Sequence, residues 1–135
     1  MRSVQVFPGM DLRRLTSLLD SMGDRAGSEW FGAADRWLEV SLTRYESAQD
    51  LIHALEDEGS FSASEVDALR QVRDELAGSW VEVRVSGRGD YQAEMRELVE
   101  RLLADGGYAF DDYSDGAWSF EQIRHGRPKG QTFRA

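Results

Sequence analysis

Two glutamates stand two residues after a tryptophan in similar stretches. They are Glu39 in "WLEVSL" (37–42) and Glu82 in "WVEVRV" (80–85). Strand alternation puts each glutamate on the same face as its tryptophan, Trp37 or Trp80. A carboxylate beside an apolar wall is disfavoured in its charged form, which is how a glutamate becomes a proton donor or acceptor near neutral pH. The competing reading is two exposed strand glutamates paired with Arg44 or Arg84. A second carboxylate group, Asp111, Asp112 and Asp115 in "DDYSDG", could hold a hard cation. It lacks the alternate spacing and downstream glutamate of a calcium loop. Turn chemistry explains Asp115, and solubility explains the other two. These three are therefore weak candidates, and neither a resident metal nor a cofactor is expected.

Other chemistries find little support. The chain has no cysteine, so disulfides, thiolate metal sites and thiol nucleophiles are excluded. His53 has Glu56 and Asp57 one helical turn on, but the pattern reads as a solvated helix end. His125 sits in a basic tail. Neither histidine has a serine and an acid placed to form a triad. Neither glycine-rich phosphate motif, of the P-loop or the dinucleotide type, is present. "SGRGD" (86–90) could offer backbone N–H groups to an anion, but it reads better as a strand-to-helix turn in which Asp90 caps the helix.

Position then depends on the elements. "SVQVF" alternates as a short strand. Asp11 caps a helix carrying Leu12, Leu15, Leu18, Leu19 and Met22, which Gly23 ends. Residues 24–36 read as an irregular loop in which Trp30 and Phe31 plug the core edge or wall a pocket. "WLEVSLTRY" is a strand, and Ser47 opens a helix ending at Gly59. Ser62 and Glu65 form a capping box, with Phe61 and Val66 spaced as a hydrophobic staple. "WVEVRV" is the next strand, and Asp90 opens a helix ended by Gly106-Gly107. Asp115-Gly116 reads as a tight turn joining strands near 108–112 and 117–123.

The order is β-α-β-α-α-β-α-β-β. It predicts an α+β fold with helices on one face of a mixed, largely antiparallel sheet of about five strands, partly ferredoxin-like. Residues 1–123 are expected to form one globular domain, and 124–135 a flexible basic tail. The two Trp-x-Glu stretches share too few identities to establish an internal repeat. They do predict a second sheet face bearing Trp37, Glu39, Trp80 and Glu82, joined by Trp118. That face is either covered by the 24–36 loop or used for binding.

The chain carries a net charge of −9, unevenly placed. All 25 acids and 12 arginines fall in residues 1–123, leaving that body at −13, while Arg124, Arg127, Lys129 and Arg134 make the tail basic. An acidic body repels phosphate, so nucleic acid is not expected as a partner except through the tail. No apolar run is long enough to span a membrane, and "MRSVQVFPGMDLRRL" is too polar for a signal peptide. A cytoplasmic protein is expected. Fifteen arginines against one lysine fit a GC-rich bacterial coding bias. "YSDGAW" (113–118) resembles the C-terminal Tyr-Asp-Gly-Trp-like stretch of the ribonuclease E inhibitor B family, with Ala117 inserted. The likeness covers six residues and identifies no family. The function expected is a small acidic interaction module, of immunity, antitoxin-like or regulatory inhibitor type, that binds a protein partner or itself as a homodimer. The alternative is a small-molecule pocket or small enzyme. The contact candidates are Trp30, Trp37, Glu39, Trp80, Glu82 and Trp118.

Overall fold

The computed structural model describes residues 2–32, 38–85, 92–111, 116–126 and 128–133. Its strands are β1 (Arg2–Pro8), β2 (Gly23–Ala26), β3 (Glu29–Gly32), β4 (Leu38–Arg44), β5 (Ser79–Val85) and β6 (Gly107–Phe110). Its helices are α1 (Leu12–Met22), α2 (Ala48–Glu58), α3 (Ala63–Gln71), α4 (Gln92–Leu102) and α5 (Phe120–His125). The strands form one sheet in the order β2-β3-β4-β5-β1-β6, antiparallel at every pairing. The class is the α+β class that the alternating patterns predict, with six described strands where about five were expected. Among the described residues no helix is long and apolar enough to cross a membrane.

Without β2, β3, α2, α3 and the C-terminal α5, the path β1-α1-β4-β5-α4-β6 remains. Its strand order β4-β5-β1-β6 is the ferredoxin-like split β-α-β pattern. Two insertions decorate it. The first lies in the stretch expected to be a loop: residues 23–32 form the β2–β3 hairpin, which extends the sheet beyond β4. The aromatics explain it. Trp30 is fully buried opposite Val40 in the register, so the hairpin adds a hydrophobic strand rather than a plug. The second insertion, α2–α3, fills the connection between β4 and β5.

Period-two alternation gives the sheet two different faces. Val4, Val6, Val40, Val81, Val83, Val85 and Ala109 lie on the first, buried with Leu15 and Leu19 of α1, Met95, Leu98, Val99 and Leu102 of α4, and Ile123 of α5. On the second face, Phe7 and Phe110 pack with Leu51, Ile52 and Leu55 of α2 and with Val66 and Leu69 of α3. Trp80 and Phe61 lie at the margin of this cluster. Helices therefore reach both faces, whereas one face was expected. The α2–α3 pair has an apolar stripe, and the valine face is already occupied by α1 and α4. The aromatic end of the opposite face is where that stripe can be buried.

Local signals explain the helix starts. Asp11 accepts from the Arg14 N–H at 2.9 Å, and Ser47 from that of Asp50 at 3.1 Å. The Ser62–Glu65 capping box closes in both directions. The last strand expected, over 117–123, is instead a single bridge, Ala109 to Trp118, followed by α5. The cause lies in "SFEQ": Ser119 and Gln122 form a second reciprocal capping box, which turns the chain into a helix. The stretch expected to be a flexible tail carries a buried anchor. Phe133 is 2% exposed and lies edge-on to Trp118 at 5.6 Å, so residues 128–133 return to the first face.

Candidate binding cleft

The α2–α3 pair covers only part of the second face, and a cleft of about 520 Å³ opens where its connection overhangs the sheet. Gln5 of β1, Trp80 and Glu82 of β5, Phe110 of β6 and the adjoining Asp111 and Gly116 line one side. Glu58, Ser60, Phe61, Ser62, Ser64 and Glu65, from the end of α2 and the start of α3, line the other. The volume falls within the ~300–1,000 Å³ typical of ligand sites.

The register explains why these side chains meet. Gln5 lies opposite Glu82 and Phe110 in the two pairings of β1, all on the face away from the valines. Its amide ties the wall together. Gln5 Oε1 accepts from the indole N–H of Trp80 at 2.7 Å, and Gln5 Nε2 donates to Glu82 Oε2 at 2.9 Å. The Trp80 ring runs nearly parallel to Phe7, 18° off, and Phe61 meets it edge-on at 5.7 Å. The aromatic wall is thus braced from beneath by a ring that is fully buried.

Charge along the cleft is one-sided. Glu58, Glu65, Glu82 and Asp111 line it, and among the described residues no lysine, arginine or histidine does. Glu58 Oε1 accepts from the Ser60 hydroxyl at 2.9 Å, and Glu65 Oε1 from the Ser62 N–H at 2.9 Å. Neither has a cation partner among the described residues, whereas acids elsewhere do: Asp105 pairs with Arg14, Glu56 and Asp67 with Arg70, and Glu100 with Arg96. Glu82, by contrast, has a cation beside it. Arg84 lies between it and Glu39, with Nη2 2.6 Å from Glu39 and Nε 3.4 Å from Glu82. The two glutamates are thus bridged by a guanidinium, not set face to face to share a proton.

The residues singled out by sequence separate into three groups. Trp80, Glu82 and Asp111 line the cleft; Glu39 stands beside it, reached through Arg84. Trp30 and Trp118 belong to the first-face core, both fully buried. The Trp30 indole donates to Asp20 Oδ1 at 2.8 Å, and the Arg25 guanidinium lies 5.0 Å from its ring centre. Neither borders the cleft, because hairpin pairing turns Trp30 inward and the bridge to Ala109 turns Trp118 the same way. Trp37, Asp112 and Asp115 lie outside the described residues, as does "SGRGD". Among the described residues no cluster of three metal-ligating side chains occurs. Residues 38–42 and 80–85 belong to neighbouring antiparallel strands, with Thr43 opposite Trp80 and Leu38 opposite Val85.

Sequence reasoning missed Gln5, Glu58, Phe61 and Phe110 as site residues. Phe61 and Glu65 were visible as helix-start signals, which hid their second role at the rim. Gln5 alternates with Val4 and Val6, which marks its face but not its neighbours. No protein-family model matches the chain, and no curated protein or solved structure does either.

Proposed function

We propose that this chain is a non-enzymatic interaction module, of immunity, antitoxin-like or regulatory inhibitor type, that binds a basic protein partner through the α2–α3 cleft. One observation carries the reading. Four carboxylates surround an aromatic wall of Trp80, Phe61 and Phe110, and among the described residues the lining contains no positive side chain. Aromatic anchors beside negative charge are what a contact surface needs: buried area for affinity and charge for steering. The acidic body, at a net −9 for the whole chain, supports a basic partner and disfavours nucleic acid. A cytoplasmic setting accompanies this proposal. A second reading, a pocket for a small cationic molecule, is favoured by the volume and by the placement of Glu82 next to Trp80.

The test compares proteins cross-linked to tagged native chain with those cross-linked to a Glu58→Arg variant. Glu58 is exposed, so reversing its charge leaves the core intact. The expected outcome is a partner recovered with the native chain and lost with the variant. An identical set of proteins from both, or a strictly monomeric protein that recovers none, contradicts the reading.

A further inference from the structure

We propose that the cleft receives an arginine side chain, presented by an extended segment of the partner protein. This rests on the cleft being the interaction site. The indole N–H of Trp80 is already committed to Gln5. Trp80 is half-buried, so what the ring can offer a ligand is the π surface that Phe7 and Phe61 leave uncovered, which attracts cations, and not a donor. Glu82, the adjacent carboxylate, is oriented by Gln5 Nε2 at 2.9 Å. A planar cation that stacks on an aromatic ring while its edge meets a carboxylate is a guanidinium, and an ammonium does only the second part well. A guanidinium already sits against Glu82 and Glu39, that of Arg84.

Glu58 and Glu65 add charge at the rim, each held by a local hydrogen bond and neither neutralised by a cation among the described residues. A cleft of about 520 Å³ exceeds one side chain, so room remains for the flanking backbone of an extended segment. The described part of the chain's own basic stretch lies elsewhere. Phe133 is anchored against Trp118 on the opposite face of the sheet, which holds residues 128–133 away. The proposal assigns the complementary charge to a second molecule.

The test follows the indole N–H resonance of Trp80, assigned by its disappearance in Trp80→Phe, during titration with blocked Gly-Arg-Gly peptide. The Gly-Lys-Gly and Gly-citrulline-Gly peptides, free arginine amide and spermidine form the comparison arms. The arginine peptide is expected to shift the resonance saturably and more weakly as salt rises. The citrulline peptide, which keeps shape but not charge, is expected to leave it unmoved. Glu82→Gln should weaken the arginine peptide about tenfold, with the thermal unfolding midpoint of the variant checked in parallel. Equal shifts from arginine and citrulline, or none from either, overturn the proposal. Tighter binding of spermidine or arginine amide than of the peptide overturns the protein segment in favour of a small cation. If Glu58→Arg abolishes partner capture while the arginine peptide stays silent, the interaction reading stands and the arginine assignment alone falls.

Discussion

Replacing Gln5 by glutamate tests whether the amide truly ties Trp80 to Glu82. The variant keeps an acceptor for the indole N–H, since a carboxylate oxygen takes the place of Oε1. What changes is the other end, where the donor 2.9 Å from Glu82 Oε2 becomes a second carboxylate. Two like charges about 4 Å apart repel by about 4 kcal/mol at the effective dielectric of a protein surface. Arg84, 3.4 Å from Glu82, and partial solvent access at Gln5 reduce this to roughly 2 kcal/mol. The penalty depends on pH with a definite sign. Next to Glu82 the new carboxyl holds its proton more tightly when folded than when unfolded, so its folded pKa lies above the ordinary glutamate range. The folded state then binds more protons, and stability relative to the native chain falls as pH rises through that range. Urea unfolding followed by circular dichroism should show a deficit of roughly 2 kcal/mol at about pH 8, shrinking to a few tenths near pH 4. Gln5→Leu, which removes the amide without adding charge, should cost about 1–2 kcal/mol with no comparable slope. A Gln5→Glu deficit that is the same at both pH values would refute the contact between Gln5 and Glu82, and with it the bracing of the cleft.

Four further outcomes are expected. Gly107 has φ +108°, and a Cβ there would lie 2.3 Å from the Phe7 carbonyl oxygen. Gly107→Ala should therefore lower stability by about 3 kcal/mol or more. Gly59→Ala, at φ +80° with open space around it, should cost only about 1 kcal/mol in the same denaturant assay. Phe133→Ala should cost about 3 kcal/mol and red-shift the tryptophan emission as Trp118 loses its cover. A loss below about 0.5 kcal/mol would mean the C-terminal anchor contributes nothing. Burial pushes the Tyr108 phenol above the ordinary tyrosine value, assisted by its hydrogen bond to Glu75 and by that carboxylate's charge. Its contribution to stability is thus intact below the ordinary value and lost as pH rises through the raised one. In an ultraviolet titration Glu75→Gln should bring the ionisation of Tyr108 down only part of the way, because burial is the larger cause.

The alternation of "SVQVF", "WLEVSLTRY" and "WVEVRV" is a local property, and it sufficed to assign three strands and the inward direction of their valines and leucines. Capping chemistry at Asp11, Ser47 and Ser62 was equally local, and so was the α+β class that follows from the mixture of periods. Ser119–Gln122 carried the same signal for α5, but the pull of Asp115-Gly116 towards a hairpin obscured it. Neighbour relations were a different matter. Placing β1 between β5 and β6 is a choice of pairing across some 75 residues, as between Gln5 and Trp80, and no periodicity encodes it. Alternation likewise showed that Trp80 and Glu82 share a face. It could not show that the valine side would be filled by α1 and α4, leaving the α2–α3 stripe to be buried on the other. The cleft exists because that second packing is incomplete, and completeness of packing is settled only when all the layers have been assembled.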